Sequence, residues 1–313
     1  MDALAGLLDG PRARQAFLLR AVLESPWCLR VEDEAPLCVV SVVEGRAWIM
    51  HEGAEPVALR PGDVAIVRGP EHYRMADSPT SPPRVVIHPG ERCTTLSGED
   101  VAERMQLGVR TWGDRDGDTV MLIGTYLLDG AVGRRLLDVL PRVVLVTDAE
   151  WGSPLLGLLG EEITRDQPGQ EAVLDRLLDL LLIGALRVWF DRPEAGAPGW
   201  YVAQSDPVVG RALRLLQHNP AHPWTVASLA SEVGLSRAAL ARRFAELVGE
   251  PPMSFLTEWR LTLAADLLRD PDATIGAVAQ QVGYSSAFAL SSAFKRVHGV
   301  SPRDHRRALV ASA

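Results

Sequence analysis

Near the end of the chain, two stretches place apolar residues on the same helical spacing and break it with the same stops. In "TVASLASEVGLSRAALARRFAELVGEPP", Val226, Leu229, Ala230 and Val233 fall on one face of a helix. Gly234 ends that helix, Ser236 is placed to cap the next, and Leu240, Phe244 and Leu247 form the buried face up to Gly249. The stretch "TIGAVAQQVGYSSAFALSSAFKRVHGVSP" repeats the design with Ile275, Val278, Ala279 and Val282, then Gly283, then Leu290, Phe294 and Val297, stopped by Gly299. Pro252 and Pro302 follow the two stops, and the second turn is one residue longer. Each copy predicts a helix-turn-helix. The intervening "PMSFLTEWRLTLAADLLRD" reads as one helix of about eighteen residues, roughly 27 Å long. A rod of that length holds two reading helices about one DNA turn, roughly 34 Å, apart.

The first half of the chain carries another period. "LCVVSVVEG", "RAWIMHEG", "PVALRPGDVAIVRG" and "RVVIHPGERCTTL" are short β-rich runs parted by Gly and Pro, which predicts a small β-barrel. Between the two regions, "SPLLGLLGEEITRD" and "QEAVLDRLLDLLLIGALRVWFDR" return to helical spacing. In the longer one, Leu174, Leu177, Leu178, Leu181, Leu182, Ala185, Leu186 and Trp189 make one face, and Leu180, Ile183 and Val188 make the opposite side apolar too. Such a helix is buried on two sides. A homodimer interface is the favoured second surface, ahead of cover by the subunit's own neighbours. "DRPEAGAPGWYVAQSDP" reads as a linker. The expected class is α+β, with a β-barrel domain over 1–150, a helical dimerisation segment and linker over 151–204, and an all-α domain with two helix-turn-helix motifs over 205–313.

Composition adds four constraints. With 47% hydrophobic and 23% charged residues over 313 positions, the chain has the makeup of globular domains. No export signal opens it, and its most apolar run, "LLDLLLIGALRVWF", is broken by Asp179 and Arg187, so no membrane partner is expected. The cysteines Cys28, Cys38 and Cys93 form no disulfide framework and suit a cytoplasmic protein. The net charge of −8 is unevenly spread. From Ser205 onward twelve basic residues face nine acidic ones, a net of +3, whereas 20 arginines face 31 acidic residues before it, a net of −11. A basic end on an acidic body points to nucleic acid.

The stretch from about Asp206 to Arg307 resembles the DNA-binding domain of the AraC/XylS family of bacterial transcription regulators, in its turn glycines, both core phenylalanines, the prolines after the stops and the terminal basic cluster. The resemblance implies a double-stranded DNA operator, with base contacts from Arg237, Ala238, Ala241 and Arg242 and from Ala287, Phe288, Ser291 and Ser292. Arg242 suits a guanine, through two hydrogen bonds to O6 and N7. Arg237, Arg243, Lys295, Arg296, Arg306 and Arg307 suit phosphates. The Ala, Phe and Ser face of the second copy touches thymine methyls and is expected mainly to position the protein. RNA polymerase is a further expected partner.

The β-rich half resembles a cupin over about Leu37 to Val86: Gly45 and His51, then Pro61 to Asp63, then Gly69 and His72. Where an enzymatic cupin has a second histidine, this chain has Gly53, and Glu55 is off register. His51 and His72, completed by His88 and Cys93, are the candidate ligands for a zinc-like divalent metal, although hairpin and strand-end roles are preferred. The resemblance implies a small-molecule effector in the barrel, against Trp48, His51, His72 and Tyr73. A redox switch through Cys38 and Cys93 is the alternative input, and a metal cupin enzyme tied to a DNA-binding domain is the rival. No nucleophile and base stand at a legible spacing, so no enzyme is expected.

Overall fold

The computed structural model describes residues 17–126 and 130–311, which fall into two compact units. The β-rich unit holds 17–126 and 137–195, and the helical unit holds 130–136 and 196–311.

The β-rich unit is built from β1 (Phe17–Leu23), β2 (Cys28–Val31), β3 (Leu37–Glu44), β4 (Ala47–His51), β5 (Val57–Leu59), β6 (Val64–Arg68), β7 (Tyr73–Ala76), β8 (Val85–Ile87), β9 (Cys93–Thr95), β10 (Gln106–Gly108), β11 (Thr111–Gly113), β12 (Thr119–Tyr126) and β13 (Val143–Val146). They form a seven-stranded sheet in the order β10-β11-β1-β12-β3-β6-β13 and a six-stranded sheet in the order β5-β4-β7-β2-β8-β9. The expected barrel therefore takes the form of two facing, open sheets, with the apolar core between them. Alternation explains which residues fill it: Ala47 and Ile49 on β4 and Tyr73 and Met75 on β7 belong to the core. Central β3 is buried along most of its length, with its buried polar residue, Ser41, donating to the Asp63 carbonyl at 2.8 Å.

In the chain, α1 (Ala131–Leu137) precedes β13, and α2 (Asp148–Trp151), α3 (Leu155–Glu162) and α4 (Gln170–Phe190) follow it. The last three belong to the β-rich unit. Helix α4 buries Leu174, Leu178, Leu181, Leu182, Ala185, Leu186 and Phe190. Two glycines allow this packing: a Cβ on Gly124 of β12 would stand 2.6 Å from Leu178, and one on Gly184 would stand 2.2 Å from the Trp151 ring. The other face of α4 leaves Leu180 50% exposed and Val173 45% exposed.

The helical unit continues through α5 (Gly199–Val202), α6 (Val209–His218), α7 (Val226–Glu232), α8 (Arg237–Val248), α9 (Pro252–Leu267), α10 (Ile275–Gln281), α11 (Ala287–His298) and α12 (Pro302–Ala311). Thr225, Ser236, Thr274 and Ser286 each cap the following helix by accepting a backbone N–H three residues on. Helix α9 is 16 residues, about 24 Å, slightly shorter than the sequence predicts, with Pro252 at its first turn. Its first half, through Phe255, Leu256 and Trp259, fills one core with Leu229, Leu240 and Phe244. Its second half, through Leu261, Ala264 and Ala265, fills another with Val278, Leu290 and Phe294. Val297, expected inside, is 48% exposed; Ala293 lies in that core instead.

Helix α1 is a feature that periodicity did not announce. Val132 is buried in the first of these cores and Ala131 packs on the second. The Asp266 carboxylate near the end of α9 accepts the N–H groups of Ala131 and, at 3.1 Å, Val132. The Arg135 guanidinium lies 5.4 Å over the Phe255 ring.

Candidate nucleic-acid interface

Each repeat sets its second helix by a fixed frame. Leu240 and Phe244 on α8, and Leu290 and Phe294 on α11, are fully buried, which turns the opposite face of each helix outward. The connecting turns span 233–236 and 282–286, so the second is one residue longer, as its sequence indicates.

On α8 the outward residues are Arg237, Ala238 and Arg242, with Ala241 half-buried beside them. The Arg242 side chain is 78% exposed and stands 3.9 Å from Glu246 in a solvent-facing pair that costs little to exchange. Arg243 is different. Its Nε and Nη2 donate to Oδ2 of Asp206 at 3.1 and 2.5 Å. The other oxygen of Asp206 accepts the N–H groups of Val208 and Val209 at 3.0 and 2.8 Å, tying the start of α6 to α8. Burial pushes the Asp206 carboxyl up, but the Val209 amide, Arg243 and the Val208 amide outweigh it and hold the group below its ordinary range. Arg243, expected at a phosphate, thus also forms an internal bridge, with its side chain 46% exposed.

On α11, Phe288 and Ser292 face solvent while Ala287 and Ser291 are half-buried. Phe288 is 82% exposed. The Ser291 hydroxyl donates to the Ala287 carbonyl at 2.8 Å and is committed to the helix. Lys295 and Arg296 are exposed in the last turn, and Arg307 is exposed on α12. Arg306 is engaged within the fold: its Nε donates to the Leu268 carbonyl at 3.2 Å and its Nη2 to that of Ala273, closing the end of α9. Like Arg243, it was expected at a phosphate and makes contacts within the fold.

Of the residues singled out in the β-rich half, only His51 and Tyr73 are brought together among the described contacts. His51 is 7% exposed, with its ring 5.5 Å from that of buried Tyr73. Burial, then Arg142, lower the His51 pKa against the opposing charge of Glu71, and its Nε2 has no partner among the described residues. Trp48, one residue out of phase with Ile49, lies on the other face of β4, and His72 is exposed. His88 bonds Thr94 at 2.9 Å, and Cys93 lies on β9. Strand β2 separates the β4–β7 pair that ends at His51 and Tyr73 from the β8–β9 pair. Among the described residues no three His, Cys, Asp or Glu side chains form a group that could hold a metal ion. The metal site formed by His51, His72, His88 and Cys93 is therefore not assembled.

Comparison with known proteins fits this geometry. Residues 2–191 match the family described as Cupin, and residues 229–308 match the one described as Helix-turn-helix domain. A Streptomyces lividans protein named as an AraC-like transcription regulator is 33% identical over 98% of this chain and 98% of its own. The chain belongs to the AraC-type family of transcription regulators. The HTH-type transcriptional regulator AlkR of Acinetobacter baylyi is 27% identical over 98% of this chain and 99% of its own. The solved DNA-binding domain of AdpA in complex with a target DNA is 33% identical, covering 34% of this chain and 96% of that one, with a TM-score of 0.33.

Membership makes this AraC-type chain a DNA-binding transcription regulator with a cupin-like N-terminal part. Among the described residues no helix is long and apolar enough to cross a membrane. Of the thiols, burial pushes Cys38 up to about 12 and raises Cys28 as well, which disfavours their reactive thiolate forms, while Cys93 is only half-buried on β9. The Asp206 bridge was missed by sequence reasoning, though "SDP" at 205–207 carried a helix-start signal.

Proposed function

We propose that this regulator reads its operator chiefly through α8, with Arg242 as the guanine-reading residue. Arg237, Lys295, Arg296 and Arg307 supply phosphate contacts, and Ala238, Ala241, Ala287, Phe288, Ser291 and Ser292 complete the two reading faces. The observation that carries this is the outward guanidinium of Arg242, held on a helix whose opposite face is locked by Leu240 and Phe244. The cupin-like unit serves as a small-molecule sensor and the protein works in the cytoplasm without catalysis. RNA polymerase is its expected further partner. Exposed Leu180 and Val173 on α4 support a homodimer, whereas Leu181 belongs to the subunit's own core.

The deciding experiment is binding of the full chain to DNA from its own promoter region, followed by fluorescence anisotropy over a range of salt. Affinity should fall about 10²-fold or more between 50 and 200 mM salt if about four phosphates are neutralised. Random DNA should bind far more weakly. Salt-independent binding, or equal affinity for random DNA, would overturn the operator reading. Sedimentation of wild type beside Leu180→Asp with Val173→Asp tests the dimer; a wild type already monomeric, with and without DNA, defeats it.

A further inference from the structure

The two open sheets of the β-rich unit end in the short edge strands β9 and β10. A recess of about 730 Å³ is lined by Thr95 to Ser97 on one of these sides and by Gln106 and Leu107 on the other. Its floor is the rim of the core between the sheets, to which Leu23, Trp27, Leu29 and Val85 belong. Leu23, Trp27 and Leu29, all at least 97% buried, supply its apolar depth. Arg84, Arg104 and Arg115, all exposed, stand at its mouth. Asp114 is the one carboxylate in the lining, and it already accepts the Glu24 N–H at 3.0 Å. Even with Glu99, which pairs with Arg104, three guanidiniums face two carboxylates, in a region that carries 20 arginines and 31 acidic residues before Ser205.

Each guanidinium keeps N–H groups to offer a ligand. Arg84 uses Nη1 to grip the carbonyls of Glu24 and Pro26 at 3.3 and 3.0 Å, which fixes the group and leaves Nε and Nη2 open. Among the described residues Arg104 meets only Glu99, at 3.1 Å, in a pair with both side chains 62% exposed that exchanges at little cost. Arg115 is exposed and makes no hydrogen bond or ion pair among the described residues. An arginine fork suits a planar carboxylate through paired N–H donors, and the apolar depth suits a hydrocarbon body.

We propose that this recess binds an organic anion, a carboxylate carried on an apolar body, and that this is the effector class the sensor takes. The proposal rests on the effector-responsive reading above. It is tested by isothermal titration of the full chain with 1-naphthoate, with 1-naphthalenemethanol as the neutral analogue, and with inorganic phosphate as the bare anion. Naphthoate should bind at one site per chain, about tenfold or more tighter than either control. Arg104→Gln with Arg115→Gln should weaken naphthoate by about tenfold or more and leave the alcohol unchanged. Both positions are solvent-exposed, so an unchanged melting curve confirms that the variant is folded. Equal affinity for acid and alcohol, phosphate binding as tight as naphthoate, or indifference to the arginine changes would each overturn the site. Operator binding by the same preparation is a separate readout. A chain that binds DNA selectively but takes no naphthoate below about 1 mM loses this site and keeps its regulator reading.

Discussion

The two helix-turn-helix repeats share an inside and differ outside. Leu240 and Leu290, Phe244 and Phe294, the capping Ser236 and Ser286, and the left-handed Gly249 and Gly299 occupy equivalent places. Their exposed faces have little in common. Helix α8 offers Arg237 and Arg242, whereas α11 offers Phe288 and Ser292, with Ser291 turned back onto its own backbone. Packing tolerates little change at the shared positions, because a close-packed core feels each lost methylene. The outward positions carry no such constraint and are free to diverge. The repeat is thus a common frame for two different reading faces.

The largest effect should come from the frame. Phe244→Ala and Phe294→Ala should each cost about 3–5 kcal/mol, because each empties the centre of a small core. The two cores are separate clusters that share only α9 along with α1, so the damage should be local. Hydrogen exchange should show lost protection in α10 and α11 for Phe294→Ala, with α7 and α8 less affected, and the reverse for Phe244→Ala. Uniform loss in both variants would mean that the lobes fold as one body.

The outward faces come next. Arg242→Ala should cost about 1–3 kcal/mol on the preferred operator and relax one base pair, since a two-bond contact to a guanine is lost. Phe288→Ala should relax a different position, occupied by thymine. Replacing that thymine with uracil should weaken wild type and leave Phe288→Ala unchanged, because the base methyl is the only difference. Binding measured across a panel of single-base operator variants separates the two. A uniform loss for Arg242→Ala would make it a phosphate anchor like Lys295, and the contrast between the faces would collapse.

How much of this was legible in the sequence follows from how local each feature is. The repeat, its caps and its extra turn residue are set by neighbours a few positions apart, and periodicity exposes them. Strand order is not local. β2 lies between β7 and β8 and β1 between β11 and β12, so no run of residues announces which edges border the recess. The same holds for the Arg243 bridge to Asp206, 37 residues away, and for Arg306, which reaches back to Leu268. Both arginines look like free basic residues until their partners are placed. The histidines and Cys93 show the converse: metal-like spacing along the chain was undone by β2 standing between them in the sheet.

The smallest expected effect is a pH dependence confined to the second repeat. His298 and His305 occupy the places held by Val248 and Phe255 in the first repeat, counted from the shared glycine and proline. The His305 ring meets Phe294 at 5.3 Å and 62°, much as Phe255 meets Phe244 at 6.0 Å and 68°. Burial, then the charges of His298 and Arg134, lower the His305 pKa, with the Ala265 carbonyl and Asp266 opposing; burial also lowers that of His298. In the unfolded chain both imidazoles take a proton near the ordinary value of 6.5. The folded repeat resists until lower pH, so the unfolded state binds more protons across that window. Stability contributed by these groups is therefore present above about 6.5 and is lost as pH falls through the lowered folded values. Protection of α10 and α11 in hydrogen exchange should drop between pH 7.5 and 5.5, while that of α7 and α8 changes less. His305→Phe, which copies the first repeat, should flatten part of that slope. An equal slope in both repeats, or one untouched by His305→Phe, would show that the histidines are not its source.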